Sequence, residues 1–544
     1  KMKNALSNAL REIITALDFP ETEIVVQLPK NPEHGDFATN LALRLAGITG
    51  NKPQEIAQSI ARKLKEDYPS MIDSASIAGP GFINISINKE QIVSQLRNVL
   101  EKKSDFGRNK AGEGKKALVE FVSANPTGPL TVGHGRGAIL GDVISNILKW
   151  NGYDVEREYY YNNAGRQMQK LGESVKSRYL ELLGEETKFP EDGYEGEYII
   201  DIARKLEEEN GESLKDSADI SPFKYAAEKK IFQNIKNTLN RIGLKFDKFF
   251  NENTLYESGA IDFVVETLRE KGLVYEKEGA TWFKATEAGR DQDRVIIKSS
   301  GEPSYRLPDI AYHRDKFERG YDLLVDVLGA DHMDAYPDVL AAVEQLGCDS
   351  NKVNVIIHQF VTLTEDGEPV KMSTRKANYI TLDELIDEVG QDVVRYFFIM
   401  RGINTHLNFD MALAKDESDE NPVFYLQYAH ARLCNILKHA EGQGHDLKKN
   451  TDLSPLSLDS EIQLVKFLLE FPNVIEKAKD NLEPQTIATY LQSLAGMFHK
   501  YYAKERVVTD DKVKTSARLI LVKALQIVLA NGLSLLGIQA PERM

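Results

Sequence analysis

A chain of 544 residues, 42% hydrophobic and 28% charged, is long enough for three or four domains and too evenly mixed for a fibrous or disordered protein. Its two cysteines, Cys348 and Cys434, lie far apart, which argues against a disulfide framework or a zinc knuckle and fits a reducing cytoplasm. No apolar run reaches the roughly 18 residues of a helical span, and Lys1-Met2-Lys3-Asn4 opens no apolar leader, so neither a membrane segment nor a signal peptide is expected. The formal net charge of −15 disfavours a uniformly basic nucleic-acid binder, but an RNA site needs only a local basic surface.

In chain order, the first hundred residues read as a small α+β unit. A helix is predicted over 3–17 and another after the turn-rich 32–40; a half-buried strand is predicted over 82–87 and a helix over 89–103. The polar, glycine-rich stretch 104–114 is a linker candidate. An α/β pattern then starts near Lys115, with a strand over 117–122. A helix is expected to begin near Gly135, with Ile139, Leu140, Val143, Ile144, Ile147 and Leu148 on one face and Asn151-Gly152 as its C-cap. After a strand over 154–161, residues 165–256 read as mostly charged helix with solvated faces. Strand signals return over 281–284, 294–298, 321–328 and 353–363. Beyond Gly402 the chain reads as all-helical. Asn421 and Pro422 open a long helix, and further helices are predicted near 459–481, 484–502 and 515–536.

Two segments carry chemistry. The first is Ser123-Ala124-Asn125-Pro126-Thr127-Gly128-Pro129-Leu130-Thr131-Val132-Gly133-His134-Gly135-Arg136-Gly137, between a strand and a helix. Such a glycine-rich turn exposes backbone N–H groups at the positive end of a helix dipole and suits a phosphate; His134 adds a donor beside it. Its spacing is neither that of a P-loop nor a dinucleotide fingerprint. A shorter Val-Gly-His would be no more than a turn. The second is Val370-Lys371-Met372-Ser373-Thr374-Arg375-Lys376. It follows a strand and the turn Glu365-Asp366-Gly367-Glu368, and it precedes the capping box Thr381-Leu382-Asp383-Glu384. A basic loop so held can close over a triphosphate and neutralise charge on leaving pyrophosphate.

The first segment resembles the first signature of class I aminoacyl-tRNA synthetases, and its longer form resembles the arginyl-tRNA synthetase family. Gly133 and His134 match, while Thr131 stands in place of the signature's first histidine. Lys371, Met372 and Ser373 are similar to the second signature, with Thr374 where a second lysine would stand. That leaves Arg375, Lys376 or a lysine within 110–116 to meet the pyrophosphate. Blocks at 34–40, 160–167, 194–198, 421–432 and 535–544 also resemble the family, in its order.

The resemblance implies a Rossmann-like parallel-sheet catalytic domain over 111–400 with a connective insertion at about 165–290. It also implies an N-terminal appended α+β domain that contacts tRNA over 1–110 and an all-helical anticodon-binding domain over 401–544. The activity implied is ATP-dependent ligation of L-arginine to tRNA(Arg) through arginyl-adenylate, with tRNA bound before arginine is activated. Gly133, His134, Lys371, Met372, Ser373 and Arg375 would be catalytic. ATP would meet Thr131, Gly133, His134, Gly135, Asp331, His332 and Lys371. Arginine would meet Glu120, Ser123, Asn125, Tyr305 and Asp309, since a guanidinium pairs best with carboxylates. By residue type alone, Glu120 reads first as a solvent-facing strand end, and Asp309 reads equally as a helix N-cap.

Phe37, Asn40, Tyr425, Tyr428, His430 and Arg432 would touch tRNA, with half of the last four expected to pack in the core. Mg2+ would arrive with ATP and no protein-bound metal is expected. The expected state is a cytoplasmic monomer bound to neither DNA nor membrane. The rival readings are a class I synthetase for another amino acid and a non-catalytic tRNA-binding relative, which Thr131 and Thr374 would favour.

Overall fold

The computed structural model describes residues 2–27, 29, 34–370, 380–448 and 450–544. At its centre lies a sheet of five parallel strands in the order Val353–His358, Leu323–Gly329, Lys116–Glu120, Asp154–Tyr161, Lys248–Asn251. The inner strands carry apolar runs such as Ala117-Leu118-Val119, which are fully buried, as a sheet covered on both faces requires. The chain starts in the middle strand and winds outward to each side. The direction reverses between Lys116–Glu120 and Leu323–Gly329, and open sheets bind ligands outside the carboxyl ends of the strands at such a point.

Three expectations change here. The strand Lys248–Asn251 pairs with Asp154–Tyr161 inside the interval 165–290, so there is no single insertion. One excursion carries the helices Gly165–Leu182, Glu197–Asn210 and Ser221–Arg241. After the fifth strand, a second carries an antiparallel sheet of Val274–Lys277, Ala280–Phe283 and Arg294–Ile297 over its own apolar cluster. The strand over 353–363 breaks at Gln359-Phe360, and its second part, Val361–Glu365, pairs in parallel with Leu407–Asp410. The chain beyond Gly402 is therefore not all-helical, and its first strand belongs to the preceding unit. The stretch 104–114 is docked, not a free linker. Phe106 stacks on Phe471 with ring centroids 6.4 Å apart. The N–H groups of Asn109 and Gly112 donate to the carbonyls of Trp150 (3.0 Å) and Asn151 (2.7 Å).

The N-terminal unit is a four-stranded sheet, Val26–Gln27, Phe37–Thr39, Phe82–Ile87 and Ile72–Ala78, with helices Met2–Ala16 and Pro53–Asp67 among its elements. Helix 89–103 breaks at Gln95, and helix 459–481 breaks at Glu470, ahead of Pro472. Helix Lys512–Leu536 is apolar almost all round. By length and composition it could cross a membrane, but 72% of its most apolar stretch is buried inside this fold, which makes it the core helix of the C-terminal unit.

Arg395 ties these units together. Fully buried, it donates to the carbonyls of Leu536 (2.9 Å) and Ile242 (2.7 Å) and to Asp142 Oδ2 (2.5 Å). Arg395→Met is expected to lower stability by about 3–5 kcal/mol, because Asp142 and two carbonyls lose a buried cation. Thermal unfolding of the variant beside the parent measures this.

Candidate active site

The glycine-rich turn begins where Lys116–Glu120 ends. Ser123 N donates to the Phe121 carbonyl (3.0 Å) across Val122, whose φ is +68°, and Ser123 itself has φ +46°. A β-branched residue in the left-handed region is strained by on the order of 1–3 kcal/mol and persists only where its surroundings dictate it. Here Ser123 Oγ donates to Glu120 Oε1 (2.9 Å) and accepts from Tyr160 N (3.1 Å), while Tyr159 OH donates to the Ala124 carbonyl (2.6 Å).

The helix that follows is Val132–Trp150 and starts ahead of Gly135, because Thr131 caps it. Thr131 Oγ1 accepts from His134 N (3.4 Å), and His134 Nδ1 accepts from Thr131 N (3.0 Å). The threonine in place of the first signature histidine is thus a helix cap that holds His134. With Nδ1 accepting, the proton of the neutral ring sits on Nε2. Burial pushes the His134 pKa below its ordinary value, against a smaller pull from Asp331, so the ring is neutral at pH 7.

Gly133 stays open: a Cβ there would meet only Thr131 Oγ1, at 3.6 Å. Gly135 is not brought into the site, because a Cβ there would lie 2.7 Å from Leu382 on the packed side of the helix. The second signature residues Lys371, Met372, Ser373, Thr374, Arg375 and Lys376 lie outside the described residues. The chain is described again beside the first signature: Val132 N donates to the Ile380 carbonyl (3.3 Å) and Leu382 N to the Leu130 carbonyl (2.8 Å). Thr381 caps helix Leu382–Val389 in a capping box with Glu384.

A cavity of about 1280 Å³ opens over the reversal point of the sheet. It brings together Glu120, Ser123, Asn125, Thr131, Gly133, His134, Tyr305, Asp309, Asp331 and His332. Asn125 Oδ1 accepts from Asn162 N (2.9 Å), and its Nδ2 donates to Gln167 Oε1 (3.1 Å). Asp309 is not the N-cap; it sits in the first turn of helix Arg306–Glu318. Burial pushes its pKa up to about 7, with Glu120 and Glu252 adding to the shift and His313 and Lys316 opposing it.

Glu252 is the acid that sequence reasoning missed. It lines the cavity and accepts from Tyr160 OH (2.6 Å) and Asn162 Nδ2 (2.9 Å). It directly follows the unpredicted strand Lys248–Asn251, and recognising that strand would have pointed to it, since positions just past strand ends line such a crevice.

The lysines of 110–116 are not among the residues that line the cavity. They lie at the C-terminal end of the signature helix, about 28 Å from its N-terminus at 1.5 Å per residue, and Lys110 is paired with Glu113 (2.7 Å). Among the described residues, Arg166 and Lys298 are the lysine and arginine side chains that line the cavity. No group of His, Cys, Asp and Glu among the described residues is arranged to hold a metal.

The tRNA candidates divide. Tyr428 stacks on Phe424 (6.1 Å) and His499 (6.3 Å), with the Arg432 guanidinium 4.6 Å above its ring and Tyr425 against His499 (4.8 Å). His430 is buried, with Nδ1 2.9 Å from the Pro541 carbonyl, so it secures the C-terminal tail and cannot meet RNA. Phe37 and Asn40 are half-buried in the N-terminal unit.

With this geometry in view, the family model described as "tRNA synthetases class I (R), catalytic domain" matches residues 95–397. The chain belongs to the arginyl-tRNA synthetases. Models of the arginyl tRNA synthetase N terminal domain and the DALR anticodon binding domain match residues 1–87 and 426–544. The arginine–tRNA ligase of Desulfotalea psychrophila is 54% identical over 521 residues, 95% of this chain and 94% of that protein. The ligase of Salinibacter ruber is 49% identical over 563 residues, all of both chains. The solved structure of Thermus thermophilus arginyl-tRNA synthetase has the same fold, with a TM-score of 0.74 at 22% identity over all of both chains. Neither rival reading is favoured.

Proposed function

We infer that the cavity takes L-arginine and ATP, and that the chain ligates arginine to tRNA(Arg) by way of arginyl-adenylate. The observation that carries this reading is one cavity with Glu120, Glu252 and Asp309 on its wall and the Thr131–His134 helix N-terminus at its floor. Glu252 and Asp309 accept the planar guanidinium fork, with the Tyr305 ring beside it. Glu120, Ser123 and Asn125 hold the α-ammonium end. The arginine carboxylate then attacks the α-phosphorus of ATP; an O–P bond forms and the bond to pyrophosphate breaks. His134 Nε2–H and the open backbone at Gly133 stabilise the phosphate charge, and Lys371, Ser373 and Arg375 serve the leaving pyrophosphate. Asp331 and His332 hold the adenosine end. In the second step a 3′-terminal ribose hydroxyl of tRNA takes the arginyl group and AMP leaves.

Most of this is positioning and charge stabilisation. Mg2+ comes as part of the nucleotide substrate, held mainly by its phosphates. The N-terminal unit meets the tRNA body, and the Tyr425–Tyr428–Arg432 face stacks with unpaired anticodon bases. The enzyme acts as a cytoplasmic monomer.

ATP–pyrophosphate exchange with each amino acid, with and without total tRNA, tests the reading. Exchange is expected with arginine alone and only when tRNA is present. Exchange with another amino acid, or none with any, would overturn it.

Asp309 also sets a pH dependence. Only its ionised form pairs with a guanidinium, and its pKa is raised to about 7. Arginine KM is therefore expected to fall about tenfold per pH unit as pH rises towards 7, and to level off above it. Asp309→Asn should flatten that slope, as KM measured between about pH 5.5 and 8.5 will show.

A further inference from the structure

Three carboxylates stand side by side at one level of the central sheet. Asp326 is the lateral partner of Glu120, and Glu120 that of Glu158, on three adjacent parallel strands. Strands so paired lie about 4.8 Å apart, so the bare row would repel itself in a buried place. Its counter-groups come from one face of helix Arg306–Glu318 and the residue that caps it. His313 Nε2 is 2.6 Å from Asp326 Oδ2, and the Arg319 guanidinium donates to both Glu158 oxygens (2.6 and 2.7 Å). Tyr312 OH donates to Glu158. Lys316 Nζ lies between the other two acids, 2.6 Å from Glu120 Oε2 and 2.7 Å from Asp326 Oδ1.

Of the three acids, Glu120 and Asp326 line the cavity, with Tyr312 and His313 beside them, and Glu120 is the one bonded to Ser123 at the arginine end. Its Oε2 is held by Lys316 and its Oε1 accepts from Ser123 Oγ. Lys316 is fully buried (0% exposed) behind Glu120 and does not itself line the cavity. Burial would push its pKa down, but Asp326 and Glu120 outweigh that and raise it, so the ammonium is permanently charged.

We propose that Lys316 is a positioning residue for arginine, a resident cation that holds Glu120 against Asp326 so that Glu120 meets the substrate only from the Ser123 side. The proposal rests on the reading of the cavity as the arginine site. Without the ammonium, Asp326 keeps only His313 and Glu120 keeps only Ser123; Glu120 takes a proton or swings away from Asp326, and the pocket loses a placed negative charge. Among the described residues the ammonium's ion pairs are with Glu120 and Asp326, and none is with the signature helix or the Asp331 turn. The effect should therefore fall on arginine and spare ATP.

The test is steady-state arginylation of tRNA(Arg) by the full-length parent and three variants: Lys316→Met, Lys316→Met with Asp326→Asn, and Arg319→Met. Lys316→Met is expected to raise arginine KM about 30-fold or more while kcat at saturating arginine and KM for ATP stay within about threefold. The double variant removes both partners of a buried pair and so costs less stability than the single variant; its arginine KM is expected to stay raised. Arg319→Met weakens the same ionic row on Glu158 without touching Glu120, and is expected to lower the thermal midpoint with arginine KM unchanged. A parental arginine KM in both Lys316 variants, or an equal rise in Arg319→Met, overturns the proposal. A parent that charges tRNA with a different amino acid overturns the reading of the cavity, and the proposal with it.

Discussion

Replacing His134 with alanine is expected to lower kcat for arginylation by about 10²–10³, with arginine KM changed less than about threefold. Removing one preorganised donor aimed at developing charge typically costs that much. The donor here is preorganised in a specific way. Thr131 N donates to His134 Nδ1 while Thr131 Oγ1 caps the same helix turn, which leaves Nε2–H as the only proton the neutral ring can offer. Burial keeps it neutral by lowering its pKa, so the ring donates a hydrogen bond without adding a positive charge that would bind ATP and the transition state equally. His134→Gln, which keeps a donor at roughly the same reach, should recover part of the rate. Single-turnover adenylate formation with bound tRNA separates the chemical step from product release. A fall in kcat of less than about tenfold would remove His134 from the catalytic role.

The second large effect lies on the acidic wall. Asp309→Asn combined with Glu252→Gln is expected to raise arginine KM by about 10³ or more, with each single change near 30- to 100-fold. A guanidinium carries five donors in a rigid fork, and a pocket built for it leaves them unpaired when the carboxylates go; charged hydrogen bonds are worth about 1.5–3 kcal/mol each. The two acids act on the same group, so the double change should not be the simple sum of the single ones. The same variant should lose preference for arginine over citrulline, which has its shape without its charge. Direct binding of both compounds in the presence of an unreactive ATP analogue checks this, and an unchanged preference would place the guanidinium elsewhere.

Asp309 makes a further point about the site. Its pKa is raised to about 7 by burial and by the neighbouring acids, so between about pH 4 and pH 7 the folded protein binds a proton there that the unfolded chain does not. The contribution to stability falls as pH rises from about 4 through about 7 and is level above that. Asp309→Asn should accordingly raise the thermal midpoint at pH 8 even as it weakens arginine binding, an exchange of function for stability common in binding sites.

What could be read in the chain was local. The capping box Thr381–Glu384, the C-cap Asn151-Gly152, the strands 82–87 and 154–161 and the glycine-rich turn at 123–137 each depend on residues within a few positions of one another. Periodicity and hydrogen-bond chemistry suffice for them. The resemblance of that turn to a family signature led directly to Glu120, Asn125, His134 and Asp309, all of which the fold gathers around one cavity.

What was not legible depended on partners distant in sequence. Lys248–Asn251 is four residues long and becomes a strand because Asp154–Tyr161 offers it an edge; with it came Glu252. Leu407–Asp410 is a strand only beside Val361–Glu365. The polar stretch 104–114 looks like a linker until Phe471 and the end of the signature helix dock it. Lys316, Glu158 and Arg395 break the rule that charges face water, and no pattern along the chain marks them for the interior. Burying a charge is tolerable only where an opposite charge or a set of carbonyls meets it. For Lys316 those partners are Glu120 and Asp326, on two strands that adjoin only once the sheet has formed. The sequence alone therefore pointed to the family and to the residues of its signatures, while the tertiary structure decided which charged groups stand together around the cavity and how they are held.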